Sequence, residues 1–457
     1  NGLLSNAVKQ TCTISNTWNF ANRLSATKST VNGLASTVSY SYDPVGNVTN
    51  VTSPAGTNRY LFDAAERLTN STSSLPSFAP LVFNMSYNAN NGLVSQMTCT
   101  NTGVFVQYGF DVMDRITNIA WQTASSNVLR SFAYQYNNAS MITNIALEDG
   151  TRLAYSYDDV DRLVSESRSE ISNQASEITY SWDQVGNRLT KTNNGVCVSY
   201  SYSNGCNRLT GWSATSTNDF ADLLKSEIAG YSSEMIGTNS CLGQLYVSNS
   251  LSGSTNVPSV SGTAFALAAY PLSVGTQNLV AAIGDEAGNV GYATNQVVLH
   301  LATNATYLYN SAGCVTNITY TGSGFSENIG LSWNGQYQLT EVTTNGAAVE
   351  RNGFDALGRR VWNWDGSQTN FFIYDGAQII ADVDATGGLR RAYVWGPGID
   401  NLLAMTVYTG ATVKTYYALT DHLRTVHAMA DETGTIVEHY RMDAWGRTTV
   451  YDGNGVP

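Results

Sequence analysis

Apolar and polar residues alternate through most of the chain, in short phrases that end on two aromatic residues. Tyr40 and Tyr42 are two positions apart, and Ser39 and Ser41 alternate with them. In an extended strand such residues project from opposite faces, aromatics on one side and serines on the other. The pattern therefore predicts a β-strand with one apolar face.

The residues after each aromatic pair predict that the chain reverses. Asp43 suits the first position of a β-turn, where its carboxylate accepts hydrogen bonds from backbone N–H groups. Gly46 suits the end of that turn because glycine accepts a positive φ. Val48 then alternates with polar neighbours, as expected of a returning strand. Each phrase is predicted to be a β-hairpin.

The phrase recurs at intervals of about 20 residues, and a period of this size marks a repeat architecture. We predict that the repeat positions are structural and that none is catalytic. The aromatic, aspartate and glycine positions that define the repeat are Tyr42, Asp43, Gly46, Phe62, Asp63, Phe110, Asp111, Tyr157, Asp158, Trp182, Asp183, Gly186, Phe354, Asp355, Gly358, Asp443 and Gly446.

A single hairpin is marginal in water, so successive hairpins are predicted to pair into one long antiparallel sheet whose aromatic face is covered. We interpret the aromatic residues as cross-strand packing and not as a surface for stacking a ligand. Where Glu66, Asp114 or Asp161 replaces the turn glycine, we expect altered turn geometry. The predicted fold class is all-β, a spiralling shell or a ribbon of repeated hairpins.

The phrase is absent between Trp212 and Asn304, which predicts three regions: repeats in 1–212, an insert in 213–303, and repeats in 304–457. Strand-like runs between turn residues predict that the insert is a small immunoglobulin-like sandwich. Helical spacing in 220–228 predicts a short connector. In the turn at 285–289, Asp285 and Asn289 are calcium candidates, but we favour a turn held by its own side-chain bonds.

Composition narrows the functional classes. Only 13% of residues are charged, while Tyr occurs 27 times, a balance more typical of extracellular β-structure than of cytosolic enzymes. The net charge is −12 and the 23 Lys and Arg are scattered, so no nucleic-acid partner is predicted. The longest apolar stretch, 264–274, is too short to span a membrane as a helix. The start lacks Met and a signal pattern, so we expect the chain to be part of a longer one.

The six cysteines are dispersed and form no CxxC pair, so no zinc site is predicted. Cys197 and Cys206 flank one aromatic pair, and a disulfide between them is an alternative to buried free thiols.

The chain offers little catalytic chemistry. It has neither a phosphate-binding loop nor a GxSxG elbow. His422, His427 and His439 lie within 18 residues of one another near Asp421, but their spacing matches no zinc pattern. We interpret them as surface residues beside a hairpin turn. No catalytic residue, cofactor or metal ligand is predicted.

The repeated phrase resembles the tyrosine–aspartate (YD) repeat of the RHS family, which includes bacterial RHS polymorphic toxins, shell components of insecticidal toxin complexes, and teneurins. The resemblance covers roughly residues 15–212 and 304–457. The runs 393–398 and 421–423 resemble the segment before the terminal core of RHS proteins, with Arg424 where the family usually has glycine.

The resemblance implies a β-sheet that spirals into a hollow shell, with a toxin or cargo supplied by a downstream C-terminal region. The sequence stops at Pro457, before the region in which RHS proteins carry a self-cleaving core, so neither cleavage nor toxicity is assigned to it.

Three functional hypotheses follow. The first is a non-catalytic scaffold of a secreted or cell-surface protein, whose partner is its own downstream domain or cargo. The second is an adhesion or fibre module that binds glycans, cells or copies of itself. The third, which we favour least, is a hydrolase that uses the C-terminal histidines. Exposed sheet edges also predict self-association.

Overall fold

The protein is described by a computed structural model. It covers residues 3–9, 11–169, 176–193, 196–203, 207–216, 304–322, 325–410, 412–446 and 448–453, together with the strand backbones of the segment between. Every regular element in this part of the chain is a β-strand, and no helix within it is long and apolar enough to cross a membrane.

The strands before the insertion are β1 (Asn6–Lys9), β2 (Cys12–Trp18), β3 (Leu24–Val31), β4 (Leu34–Tyr42), β5 (Val48–Ser53), β6 (Gly56–Phe62), β7 (Leu68–Ser74), β8 (Leu81–Tyr87), β9 (Val94–Cys99), β10 (Phe105–Phe110), β11 (Ile116–Gln122), β12 (Val128–Tyr136), β13 (Ile142–Leu147), β14 (Arg152–Tyr157), β15 (Leu163–Ser169), β16 (Ser176–Trp182), β17 (Arg188–Asn193), β18 (Val196–Tyr202) and β19 (Leu209–Ser216). Those of the inserted segment are β20 (Ser232–Thr238), β21 (Gln244–Asn249), β22 (Thr255–Asn256), β23 (Ser259–Ser261), β24 (Ala264–Pro271), β25 (Gly275–Gly284) and β26 (Val290–Leu299). The remainder are β27 (Asn304–Tyr309), β28 (Val315–Gly322), β29 (Phe325–Trp333), β30 (Leu339–Thr344), β31 (Ala347–Phe354), β32 (Arg360–Trp364), β33 (Thr369–Asp375), β34 (Gln378–Val383), β35 (Leu389–Trp395), β36 (Leu402–Thr409), β37 (Thr412–Thr420), β38 (Val426–Ala430), β39 (Ile436–Met442) and β40 (Thr448–Asp452).

Thirty-three of these strands form one antiparallel sheet, in which each strand pairs with the next along the chain. The ladder continues across the insertion, because β19 pairs directly with β27 through Gly211 and Thr306. The prediction that the aromatic pairs lie on one continuous β-ladder is confirmed. Within the described strands the two ends, β1 and β40, do not pair, so the sheet is not closed.

A register irregularity precedes the second aromatic residue of each repeat. Ser41 pairs with Asn50 but Tyr42 pairs with Val48, which leaves Thr49 as an extra residue on the returning strand. Such β-bulges bend a strand and increase its twist. The same shift recurs before Phe62, Phe110, Tyr157, Trp182, Tyr309, Trp333 and Phe354.

The threonine at the bulge explains why the returning strand so often reads Leu-Thr or Ile-Thr. The Thr69 hydroxyl donates to the Leu61 carbonyl at 3.1 Å, and Thr340 donates to the Ser332 carbonyl at 3.1 Å. The bulge disrupts the backbone hydrogen bonds at this point, and the threonine hydroxyl supplies the carbonyl with a donor.

The expected change of turn geometry at replaced glycines is wrong. Glu66, Asp114 and Asp161 have φ values of 60°, 60° and 65°, and each backbone N–H donates to the carbonyl of the turn aspartate, as Gly358 does. The hydrogen bonds of the turn hold the left-handed conformation even without glycine, at a cost of about 1–2 kcal/mol per residue.

The sheet coils so that its C-terminal strands return against the first half of the chain. The contacts that join these two layers are Lys9 with Phe354, Tyr40 with Asp375, Trp121 with Thr420, Tyr134 with His422, and Lys191 with Asp443. The separation along the chain falls from 335 residues at Tyr40 to 252 at Lys191, so the path between the layers shortens towards the C-terminus. The sheet is therefore a tapering spiral, with a first coil (β1–β17) and a second coil (β31–β40).

The main core lies between the two coils. The first coil contributes Leu81, Phe83 and Phe132, and the second contributes Tyr417 and Leu419; all are buried. The rings of Phe83 and Tyr417 meet across the layers with centroids 6.5 Å apart. The chain's own later strands thus provide the predicted cover of the aromatic face. Small residues of the second coil that are fully buried are Ala381, Ala392, Ala404, Ala418, Ala428 and Ala430.

The inserted segment forms two antiparallel sheets. One contains β20, β24 and β23, and the other contains β22, β21, β25 and β26. The predicted helix at 220–228, the turn at 285–289 with its calcium candidates, and Cys206 lie outside the described residues. The immunoglobulin-like identity of this segment and the three domain boundaries stay predictions.

Candidate functional site

The turn aspartates form the most regular chemical feature of the sheet. In the turn after β10, Oδ1 of Asp111 accepts the backbone N–H groups of Met113 at 2.9 Å and Arg115 at 3.0 Å. Oδ2 accepts Nε of Arg115 at 2.7 Å. Asp63, Asp158 and Asp355 repeat this arrangement with Arg67, Arg162 and Arg359, while Asp43 and Asp183 use Asn47 and Asn187.

These hydrogen bonds favour ionised turn aspartates. The Arg67 side chain and its backbone N–H together hold the pKa of Asp63 below its ordinary value. For Asp158 the backbone N–H of Arg162 has the largest influence in the same direction, opposed by partial burial. A carboxylate held this way fixes a turn and is a poor proton donor.

The second aromatic residue of a repeat ties it to the repeat before. The hydroxyl of Tyr136 donates to the Ile116 carbonyl at 2.6 Å, and Nε1 of Trp182 donates to the Leu163 carbonyl at 2.8 Å. The acceptor is the first residue of the preceding returning strand, except for Trp395, whose acceptor Ile379 is the second residue of β34. We call this the inter-repeat hydrogen bond. Tyr42, Tyr87, Tyr157, Tyr202, Tyr309, Trp333, Tyr374 and Trp395 make it as well.

The turn arginine reinforces the same link. The guanidinium of Arg115 lies 4.6 Å from the ring centroid of Tyr136, and that of Arg67 lies 4.4 Å from Tyr87. At these distances a cation is attracted to an aromatic face. The arginine therefore joins its own aspartate to the aromatic residue of the next repeat.

The predicted repeat positions occupy equivalent places. The aromatic residues end their strands, the aspartates open the turns, and Gly46, Gly186, Gly358 and Gly446 adopt a positive φ. Phe62, Phe110 and Phe354 have no hydroxyl and cannot make the inter-repeat hydrogen bond. Sequence reasoning identified these positions but missed the link between repeats, for which the signal was a preference for Tyr or Trp over Phe.

A cavity of about 750 Å³ opens between the two coils near the C-terminus. Its apolar wall comes from β13–β15, including Ile145, Leu153 and Tyr155. Its polar residues include Arg130, Glu148, Asp421, His422, His427 and His439.

The structure brings all three candidate histidines to this cavity. The interpretation of His422 and His427 as surface residues is wrong, because each side chain is only 20% exposed. His422 lies against Tyr134 with ring centroids 4.7 Å apart, and His427 lies against Phe132 at 4.8 Å. The residues were misread because local spacing carries no information about a coil 288 residues away.

Their electrostatics follow from this burial. Nε2 of His427 lies 3.2 Å from Oδ2 of Asp421, and Nδ1 of His422 lies 4.0 Å from the same oxygen. Burial opposes ionisation of Asp421, but the hydrogen bond with His427 and the charges of both histidines hold its pKa below the ordinary value. Burial lowers the pKa of His422 and of His439, and the Arg130 guanidinium adds to the effect at His439.

Within the described ranges, no group of three or more His, Cys, Asp and Glu residues has a geometry suited to a metal ion. Cys12, Cys99 and Cys314 are free thiols. The proposed partner of Cys197 is one of the residues that the structure does not describe, so that disulfide stays a prediction.

Comparison with known proteins finds one family model that matches part of the chain. Residues 42–75 match the model of the RHS repeat, a segment that runs from the end of β4 to just past β7. The tRNA3(Ser)-specific nuclease WapA of Bacillus spizizenii is 25% identical over 180 residues, which cover 31% of this chain and 8% of that protein. The chain thus spans a small fraction of this relative's length.

Two solved structures align with almost the whole chain. The TcdB2–TccC3–Cdc42 crystal structure has a TM-score of 0.44 at 12% identity, over 98% of this chain and 24% of the other. The Photorhabdus luminescens Tc holotoxin pore has a TM-score of 0.46 at 12% identity, over 97% and 23%. Because both scores lie below 0.5, these alignments carry no argument about function. Residues 42–75 thus match an RHS repeat, and the turn, bulge and inter-repeat hydrogen bond of that segment recur along the described sheet, which supports the resemblance to the RHS/YD-repeat family.

Proposed function

We propose that the chain is a non-catalytic wall section of a larger secreted or cell-surface RHS protein, whose β-shell encloses a toxin or other cargo on its C-terminal side. The observation that carries this proposal is the continuity of the sheet. One antiparallel sheet of 33 strands continues across the insertion through the pairing of β19 with β27, and the inter-repeat hydrogen bond recurs along it.

The polar side chains of the turns and of the cavity bind neighbouring groups of the same sheet, which supports a structural role. The turn aspartates are engaged by their own backbone and arginine neighbours. The histidines of the cavity contact Asp421, Arg130 and aromatic rings of the opposite coil. The low charge and high tyrosine content support an extracellular location.

Protease protection tests enclosure. In one sample, the natural polypeptide, including any sequence that follows Pro457, is digested under native conditions. In the second sample, the downstream sequence is expressed without the repeats and digested in the same way. We expect digestion to be much slower in the presence of the sheet, and protection to be lost when urea unfolds it. Equal digestion rates with and without the repeats would refute enclosure.

A second experiment tests the proposal that the chain is non-catalytic. The double substitution Asp421→Asn with His427→Gln removes the carboxylate–imidazole pair in which Nε2 of His427 lies 3.2 Å from Oδ2 of Asp421. We expect cargo protection and any measured activity of the full polypeptide to be unchanged. Loss of activity in a variant that retains the wild-type circular dichroism spectrum would favour the enzymatic hypothesis.

One observation favours a second candidate, an adhesion module. The inserted segment leaves the sheet between β19 and β27, and the ladder closes behind it. Such a segment is suited to presenting a surface to glycans or cells. Replacing 217–303 with a short turn should abolish cell binding but leave cargo protection intact, whereas loss of protection alone would favour the wall hypothesis.

A further inference from the structure

Three histidines of the second coil lie at the contact between the coils near the C-terminus. We define the seam as Arg130, Phe132, Tyr134 and Glu148 of the first coil with Asp421, His422, His427 and His439 of the second. We propose that the seam is an acid-sensitive contact, which holds the last hairpins of the sheet at neutral pH and releases them from the first coil on acidification. This inference concerns the seam itself and stands whether or not the sheet encloses cargo.

His439 carries the first step of the argument. Its Nδ1 lies 3.2 Å from a terminal nitrogen of Arg130. Because arginine can only donate, Nδ1 must accept, and an imidazole that has bound a second proton has no acceptor left. Protonation would therefore remove the hydrogen bond and place a second cation beside a guanidinium that is only 7% exposed.

The Glu148 carboxylate cannot offset the charges of both Arg130 and a protonated His439. Its Oε1 already accepts the Arg130 side chain at 2.7 Å, and its Oε2 accepts the backbone N–H of Ser131 at 2.7 Å. The carboxylate thus offsets the charge that Arg130 carries at every pH. A proton on His439 would be additional.

His422 is also poorly placed to carry a charge. Oδ2 of Asp421 lies 3.2 Å from Nε2 of His427 but 4.0 Å from Nδ1 of His422, too far to accept a hydrogen bond from it. The edge of Tyr134 packs against His422, and Nδ1 of His422 is buried without a hydrogen-bond partner among the described residues. A charge on this ring would be largely desolvated.

The other charged groups around the cavity do not reverse this balance. Four carboxylates and three guanidinium groups line it, so its formal charge rises from −1 to +1 when His422 and His439 bind protons. Besides the seam residues, the titratable or charged side chains that face the cavity are Asp149, Tyr155, Tyr157 and Arg168 of the first coil and Tyr440, Arg441, Asp443 and Tyr451 of the second.

The sign of the pH dependence follows from the folded-state pKa values. Burial lowers the pKa of His422 and His439, so the folded seam binds fewer protons than the open one. Stability is therefore lost as the pH falls below the ordinary histidine value of about 6.5. The pKa of Asp421 lies below its ordinary value, so this carboxylate stays ionised and does not contribute within this window.

Hydrogen exchange of the full chain tests the proposal at pH 7.5 and pH 5.0, after correction for the intrinsic pH dependence of exchange. We expect at least several-fold faster exchange at pH 5.0 in β12, β38 and β39, because the contacts between these strands would open when the seam histidines bind protons. Peptides from β3–β5, which carry no seam histidine, are the internal control.

The matched variant is His439→Gln with His422→Gln, in which the amide oxygen retains an acceptor without binding a proton. We expect it to lose most of the pH dependence at the seam. Unchanged exchange at the wild-type seam between the two pH values would overturn the proposal without any variant. A pH dependence that persists in a folded double variant would do so as well.

Discussion

The first coil and the strands that bridge the two coils carry the same repeat but differ in what covers it. In the first coil the leading aromatic residues Tyr134 and Tyr180 are 4% and 6% exposed, because the second coil lies over them. In the bridging strands β18–β30, the corresponding Tyr307 and its neighbours Ile318 and Leu331 are only half-buried. Both regions have regular turns, bulges and inter-repeat hydrogen bonds.

The difference separates two sources of stability. Hydrogen bonds within and between adjacent repeats are enough to specify the ladder, since they are complete in the bridging strands. Overlap of the coils adds burial of side chains such as Leu81, Phe83 and Phe132, which removes apolar surface from water. In a repeat array the first source acts between neighbours, while the second joins residues hundreds of positions apart.

The largest expected contrast is between two leucine substitutions. Leu81 in the first coil is 0% exposed, whereas Leu331 in the bridging strands is half-buried. Leu81→Ala leaves a cavity between the coils and should reduce the free energy of unfolding by about 3–5 kcal/mol, against about 1–2 kcal/mol for Leu331→Ala. Urea denaturation of both variants measures the difference, and equal losses would show that overlap of the coils does not determine stability.

The next contrast concerns the turns. The Asp355 side chain is 1% exposed and pairs with Arg359 at 2.8 Å, whereas Asp111 is 20% exposed in the same arrangement. Asp355→Ala leaves the Arg359 side chain, which is only 15% exposed, without its carboxylate and should cost about 3 kcal/mol. Asp111→Ala should cost less, because water can solvate Arg115. Thermal unfolding of the two variants ranks them, and a larger loss for Asp111→Ala would contradict this reasoning.

The inter-repeat hydrogen bond should instead show no contrast. Tyr136 and Tyr309 donate to the preceding repeat at the same distance, 2.6 Å, in the overlapped and bridging regions respectively. Tyr136→Phe and Tyr309→Phe should each cost about 1 kcal/mol. Phe62 is a natural example of this substitution, which indicates that one missing link is tolerated. If only Tyr136→Phe destabilised the protein, the link would depend on burial and would not be a local property of the repeat.

The sequence was sufficient to predict what depends on near neighbours. The two-residue spacing of Tyr40 and Tyr42 predicted a strand face, and Asp43 with Gly46 predicted the turn, so the hairpins and their order along one ladder followed. It could not predict which strands overlap. That depends on bend accumulated over more than twenty strands, and Tyr134 carries no local sign that it will meet His422.

The position of the candidate site could not be predicted for the same reason. His439 lies on a strand whose alternation fits a surface hairpin, and only the returning coil places it beside Arg130. The prediction of altered geometry in turns that lack glycine was wrong for a different reason. Glycine was treated as a requirement, although the fixed hydrogen bonds of the turn hold Glu66 in the same conformation.

The smallest expected effect tests that last point in both regions. Glu66 in the first coil and Tyr337 in the bridging region both have a φ of 60° at the same turn position. Glycine relieves the strain of a side chain there but increases the entropy of the unfolded chain, so Glu66→Gly and Tyr337→Gly should each stabilise by only about 0.5–1 kcal/mol. Both side chains are exposed, so coil overlap should not distinguish them. A gain confined to Glu66→Gly would mean that the covering coil strains this turn, and that the repeat is less autonomous than its hydrogen bonds indicate.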